Sequence, residues 1–394
     1  MTDGSGVTNL KRVSFEEGLS LFKHAPLEEI QQRALFWRNH HNKPNQVTFV
    51  LDSNPNYTNV CEADCSFCSF YRKKGHGQAY TKTVEEVMRS MELAHQAGLS
   101  TVLLQGGLHP DLPLSYYVSL VEEARKRYPH INCHFFSAPE IYNISKVESK
   151  TYKEVLEALY AAGQRSLPGG GAEILSEKVR KRISPKKMAP GAWIDIHRAA
   201  HQVGMKSTAT MMYGHVETAH DILLHLEALR QLQDETGGFT AFIPWSYKRG
   251  GNPLGRVIKD WAGDEAYYRL LAFCRLYLDN IPHIQASWFS EGREIGIRAL
   301  QYGADDFGGL LFEEEVHRAT EFINKTTGRE MVAMIHEAGF DAAERTTFYQ
   351  ILKQWPQGQL PMSSELQEKK KEINRLEVLK QASHQVLERW SVLN

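Results

Sequence analysis

Three of the chain's five cysteines fall within eight residues, in the run Cys61-Glu62-Ala63-Asp64-Cys65-Ser66-Phe67-Cys68. Thiolates are soft ligands for iron and zinc, so this spacing reads first as a metal loop. A C-x3-C-x2-C arrangement on one tight loop can hold three corners of a [4Fe–4S] cube. The fourth iron is then left without a protein ligand and open to a small molecule, as a catalytic zinc keeps one position open. The alternative is a zinc site completed by His76. Zinc loops more often draw C-x2-C pairs from two separate segments, and the sequence has no second pair. Cys133, in the apolar run Ile131–Phe136, and Cys274, beside Leu270, Leu271 and Leu278, read as buried core.

Other residues with chemical potential recur where short apolar runs end. Gln105-Gly106-Gly107-Leu108-His109-Pro110 places two glycines where backbone can approach a ligand closely, because no Cβ intervenes. Pro168-Gly169-Gly170-Gly171-Ala172-Glu173 lacks the Lys-Ser/Thr of a phosphate loop, which excludes a nucleoside triphosphate site there. It suits a bulky ligand, with Glu173 accepting from a hydroxyl or ammonium group. Ser137 and Glu140, in Ser-Ala-Pro-Glu, are similar candidates. His215 and Glu217, in Tyr213-Gly214-His215-Val216-Glu217, are candidates for substrate hydrogen bonds or proton transfer. A neutral imidazole can accept a proton near physiological pH, and Glu217 would orient it or bind a substrate hydroxyl. Arg72, Lys73 and Lys74 follow the cysteine loop and could meet an anionic ligand or a reductase. The basic run from Lys178 to Lys187 sits at a helix end without interleaved aromatics and reads as a solvated face.

The elements around these residues alternate. Ser14 and Glu17 mark a helix start, and Leu19, Leu21, Phe22, Leu27, Ile30, Leu35 and Phe36 supply an apolar face. From residue 46 onward the pattern predicts strands over 46–51 (running on towards 57–60), 101–105, 131–137, 165–168, 207–213, 239–245, 284–289 and 305–308. Amphipathic helices are predicted over 83–97, 115–127, 151–162, 175–182, 190–203, 217–235, 264–279 and 291–302. Eight strands alternating with eight helices predict an α/β fold, a (β/α)8 TIM-type barrel. The eighth strand is weak, so a partly open barrel is the alternative. The cysteine loop then follows the first strand, on the face where such barrels keep their chemistry. The expected organisation is an N-terminal helical segment over 1–45, the barrel over 46–310, and a helical C-terminal extension over 311–394 without strand signals. Residues 363–392 carry Leu366, Ile373, Leu376, Leu379, Val386, Leu387 and Trp390 at helical spacing, which reads as an amphipathic helix docked on the barrel, with a partner or dimer interface as the alternative.

Composition bounds the function classes. With 394 residues, 42% hydrophobic, and 46 basic against 47 acidic side chains, the chain has core enough to fold. Its net charge of −1 gives no electrostatic footprint for nucleic acid or anionic membrane. No run approaches the ~18 apolar residues of a membrane span, and the start lacks an apolar signal region. Grouped cysteines in so large a chain fit a reducing cytoplasm better than a disulfide scaffold.

The cysteine loop, with Phe67 before its last cysteine, resembles the radical S-adenosylmethionine superfamily. That resemblance implies a [4Fe–4S] cluster on Cys61, Cys65 and Cys68, with S-adenosyl-L-methionine chelating the open iron. It also implies Phe67 near the adenine and Gly106 and Gly107 near the methionine amino group. The segments around Asn56–Arg72, Leu103–Tyr117, Ser166–Leu175, Thr208–Thr218, Leu232–Trp245 and Asn280–Phe289 narrow the resemblance, over about residues 45–350, to the futalosine-pathway enzymes of menaquinone biosynthesis; the deazaflavin cofactor synthases are more distant. Phe242-Ile243-Pro244-Trp245 and Ala286-Ser287-Trp288 look like the member that cyclises dehypoxanthine futalosine by a 5′-deoxyadenosyl radical. The sister reaction joins the adenosyl radical to an enolpyruvyl benzoate. Ser246–Asn252 departs from the cyclase pattern. The implied partners are the small-molecule substrate and an electron donor such as flavodoxin or ferredoxin, with neither nucleic acid nor membrane. A zinc-stabilised RNA-binding protein is the reading from another class, supported only by the cysteines and the 178–187 run.

Overall fold

The computed structural model describes residues 11–260, 262–311, 324 and 326–361. Its strands are β1 (Gln46–Val50), β2 (Asp52–Ser53), β3 (Thr101–Leu104), β4 (Asn132–Phe135), β5 (Ser166–Leu167), β6 (Lys206–Tyr213), β7 (Phe239–Ser246), β8 (His283–Ile284), β9 (Asp306–Gly309), β10 (Asp341–Arg345) and β11 (Ile351–Trp355). β2 to β8 form a parallel seven-stranded sheet in chain order, while β1 lies between β9 and β10 in a second sheet. The two sheets are joined on both sides. β2 continues β1 after Leu51, and Gln285 bridges in parallel to Asp306 at the start of β9. Eight strand positions therefore run in sequence around a barrel, with β9 as the short eighth.

Strands such as Gln46–Val50 and Thr101–Leu104 are buried on both faces because helices cover the outside. Between strands lie amphipathic helices such as Val84–Gln96, Leu114–Arg127, Pro190–Val203 and Asp264–Tyr277. Each side chain that goes from water to full burial here, such as Leu120, Ile196 or Leu271, contributes about 1.5–3 kcal/mol. Reciprocal caps set where helices begin: Thr83 with Glu86, Ser137 with Glu140, and Thr218 with Asp221. The N-terminal helices Phe15–His24 and Leu27–His41 pack outside the barrel. Arg38, almost fully buried, fastens them by donating to the carbonyls of Ala304, Pro44 and Gln46 at 2.8, 2.6 and 3.0 Å.

Two expectations change. The region after residue 310 is not purely helical: β10 pairs in parallel with β1, and β11 returns antiparallel to it. Asp-Ala-Ala-Glu-Arg has the composition of a helix, and the period of two that would reveal a strand is absent. It is a strand because β1 offers it an edge. The helix Ala138–Glu148 was also not predicted; Pro139 sits in its first turn, where the missing N–H costs nothing. The amphipathic stretch over 363–392 lies outside the described residues. Among those described, no helix is long and apolar enough to cross a membrane.

The turn after β10 crosses the end of the barrel where strands begin. Thr347 bonds Thr101 through their hydroxyls at 2.7 Å, and Tyr349 stacks on His283 at 3.5 Å. Thr101 and His283 start β3 and β8, so the turn plugs the barrel from below.

Candidate active site

A cavity of about 420 Å³ occupies the barrel interior, with Cys61, Cys65 and Cys68 at one end and Asp52, Arg345 and Tyr349 at the other. The cysteine loop is clamped from several sides. Cys61 N–H donates to the Arg72 carbonyl at 3.0 Å, Ser66 N–H to Ile183 at 2.8 Å, and Leu254 N–H to the Ser66 carbonyl at 2.9 Å. Arg72 braces the turn further by donating to the carbonyls of Ser69 and Tyr71 at 3.0 and 2.8 Å. Asp64, in a left-handed conformation (φ 40°), pairs with Lys186 at 2.5 Å and Lys73 at 3.4 Å. All three cysteines are free thiols and all line the cavity. Three soft donors from one rigid loop, facing one cavity, fit an iron–sulfur centre with an open iron. His76, which the zinc reading requires, is exposed and accepts from Gln78 N–H instead. Among the described residues, no three His, Cys, Asp or Glu side chains close on a single ion.

Burial pushes the Cys65 thiol up to about 12 and raises Cys68 as well. A cation nearby offsets part of that cost. Lys187, whose ammonium lies 5.9 Å from the centre of the Phe67 ring, pairs with Glu173 at 2.8 Å. Arg180 pairs with the same carboxylate at 3.1 Å. Glu173 therefore lies on the cavity wall, as placed from sequence, but held between two buried cations. That corrects the reading of the 178–187 run as wholly solvated: Arg180 and Lys187 reach inward.

Gly106 and Gly107 line the cavity at the end of β3. A Cβ on Gly106 would lie 2.6 Å from the Tyr57 ring, and one on Gly107 would strike the Val60 carbonyl. Their N–H groups are committed, Gly106 to Glu140 at 3.0 Å and Gly107 to the Thr58 carbonyl at 2.9 Å. These glycines thus let the β3 turn pack against the segment that leads into the cysteine loop. Gly107→Ala is expected to displace that segment and lower the iron bound per chain. Iron and sulfide analysis checks this, and full loading would contradict it.

Glu140 is corrected from ligand to brace, since it does not line the cavity. It accepts from Tyr57 Oη (2.8 Å), Gly106 N–H (3.0 Å) and both the N–H and Oγ of Ser137 (2.6 Å each). Burial pushes its carboxyl up to about 7 against those four donors. Ser137 does line the cavity, as does Phe67.

His215 and Glu217 are the second correction. The His215 side chain is completely enclosed and does not line the cavity. Its Nε2 donates to the Met212 carbonyl at 3.0 Å, and its Nδ1 accepts from Val216 N–H at 2.7 Å. Burial lowers its pKa, which agrees with a neutral ring. Glu217 accepts from the N–H groups of Gly214 and His215 at 2.5 and 2.9 Å. The pair folds into its own turn and shapes the loop after β6.

The floor was missed from sequence. Arg345 gives Nε and Nη2 to Asp306 at 2.5 and 2.8 Å, both groups buried. Asp52 accepts from Leu311 N–H at 2.8 Å, and burial pushes its carboxyl up to about 6. His134 bonds Ser166 at 2.8 Å and is lowered to about 3 by burial, so it stays neutral. Only Asp52, a carboxylate that follows the apolar Val50-Leu51 within the first strand run, had a local signal.

Comparison with known proteins follows the same outline. The profile of the Radical SAM superfamily matches residues 55–229, and that of the CofH/MqnC C-terminal region matches 236–358. The chain is 39% identical to cyclic dehypoxanthine futalosine synthase of Halalkalibacterium halodurans over 349 residues, 88% of this chain and 93% of that one. It is 38% identical to aminodeoxyfutalosine synthase of Thermus thermophilus over 349 residues, 88% of this chain and 94% of that one. Methylornithine synthase shares the fold, with a TM-score of 0.64 at 17% identity over 84% of this chain and 94% of that one.

Proposed function

The chain belongs to the radical S-adenosylmethionine superfamily, and from that premise we propose that it cyclises dehypoxanthine futalosine in menaquinone biosynthesis. The observation that carries this is the clamped Cys61–Cys68 loop opening on a deep cavity whose wall includes Trp245 and Ser287, from the two segments that look like the cyclase. In the overall reaction the hydrogen at ribose C4′ goes to the adenosyl group, that carbon closes onto the benzoate ring, and a ring proton and an electron leave.

Cys61, Cys65 and Cys68 would hold a [4Fe–4S] cluster, which when bound would supply the electron for reductive cleavage of S-adenosylmethionine. The carbonyls at Gly106 and Gly107, whose N–H groups are already used, suit an ammonium group. Phe67 offers a face to the adenine, and Ser137 and Glu173 offer polar atoms to the cofactor. Leu103, Ile243 and Trp245 on the wall keep water from a reactive carbon radical. Lys187 and Arg180, paired with Glu173, place positive charge beside the thiolates at the cluster end.

The division into 1–45, a barrel over 46–310 and a C-terminal region over 311–394 is retained, with the β10–β11 hairpin as the part of the last region that enters the barrel. An electron carrier such as flavodoxin or ferredoxin, a reducing cytoplasm, and no nucleic-acid or membrane partner complete the reading. To test it, anaerobically reconstituted protein is given dehypoxanthine futalosine and the enolpyruvyl benzoate in separate reactions. Cyclised product from the first alone is expected. A covalent adenosyl adduct from the second would move the chain to the sister activity.

A further inference from the structure

We propose that Asp52 is the base that accepts the ring proton as the cyclised radical regains aromaticity, an assignment that rests on the cyclase reading above. Asp52 sits on β2 with its carboxylate at the cavity floor and is 3% exposed. The end of β9 wraps it closely: Leu311 N–H donates to Oδ1 at 2.8 Å, and a Cβ on Gly309 would collide with the carboxylate. Arg345, which faces it from β10, has committed both arms of its fork to Asp306 on β9. The floor therefore carries two carboxylates against one guanidinium, an environment suited to receiving a proton.

The other carboxylate and the imidazole that line the cavity are occupied. Glu173 is held by Lys187 and Arg180, and His134 is bonded to Ser166 and is a weak base. His215 and Glu217 are turned away into their own loop. Asn54 and Tyr349 also line the cavity, and their Oδ1 and Oη atoms are buried without a hydrogen-bond partner. Burial pushes Asp52 up to about 6, a basicity matched to proton transfer near neutrality.

The step balances as follows. One ring C–H bond breaks and its proton goes to an Asp52 oxygen. The bonding pair stays on the ring as part of an arene radical anion. That anion passes one electron to an oxidised flavin or iron–sulfur carrier protein.

Asp52→Asn keeps an acceptor for Leu311 N–H but cannot take the proton. The full-length variant is incubated with S-adenosylmethionine, reductant and substrate deuterated at C4′. It is expected to release deuterated 5′-deoxyadenosine at the wild-type rate, while cyclised product per 5′-deoxyadenosine falls about 100-fold. Asp52→Glu is expected to restore part of that ratio. In the wild type the ratio falls as pH drops through about 6, because the carboxylate is protonated below its pKa; in Asp52→Asn it is flat. An unchanged ratio in Asp52→Asn overturns the assignment, and so does parallel loss of S-adenosylmethionine cleavage and cyclisation. Wild-type enzyme that forms no cyclised product overturns the cyclase reading and the assignment with it.

Discussion

Replacing Cys61, Cys65 or Cys68 by alanine is expected to abolish reductive cleavage of S-adenosylmethionine, leaving neither 5′-deoxyadenosine nor cyclised product. On the proposed reading each thiolate would hold a different corner of one cube, and two nearby carboxylates are already engaged. Asp64 is paired with Lys186 and Lys73, and Glu173 with Lys187 and Arg180. Iron content and anaerobic turnover, measured together, check this. Cys133→Ala is the control, because Cys133 is buried in β4 and far removed in role from the loop. It is expected to keep the cluster and to cost about 1 kcal/mol of stability from the lost core atom. A Cys61→Ala enzyme that still made 5′-deoxyadenosine at the normal rate would remove the basis for the cluster assignment.

The second large effect concerns stability. Arg345→Ala leaves Asp306 as a buried carboxylate without its bidentate partner, and it removes the stem that holds the turn plugging the barrel. Breaking a buried pair from one side costs about 3–5 kcal/mol, a large part of the 5–15 kcal/mol that typically holds a native domain together. Equilibrium urea unfolding measures it. A loss below about 1 kcal/mol would mean that the pair is solvated and that the hairpin is not a structural closure.

Which parts of this site could be read from sequence follows from how local each signal is. Three soft ligands within eight residues announce themselves, because their spacing alone limits what they can bind. The barrel strands were legible for a similar reason, since doubly buried runs such as Val47–Val50 and Thr101–Leu104 are short, apolar and bounded by helices. Position at a strand end was legible too, but side-chain direction was not. His215 and Glu140 lie where a ligand-facing residue belongs, yet one satisfies its own turn and the other caps a helix. Those choices depend on hydrogen bonds made after the chain is folded. The basic run misled because charge count favours a solvated face, whereas Arg180 and Lys187 answer a carboxylate that precedes them by 7 and 14 residues. The floor was the least legible. Arg345 meets Asp306 across 39 residues of chain, and Thr347 meets Thr101 across 246. No window along the sequence contains both partners.

The central claim is that this barrel directs a radical to the sugar of its substrate and keeps the adenosyl group out of the product. The most direct measurement is isotopic: dehypoxanthine futalosine deuterated at C4′ is turned over once with reduced enzyme and S-adenosylmethionine. The account predicts one deuterium in the released 5′-deoxyadenosine and a cyclised product that has lost it. Unlabelled 5′-deoxyadenosine beside a cyclised product that retains its deuterium would contradict it.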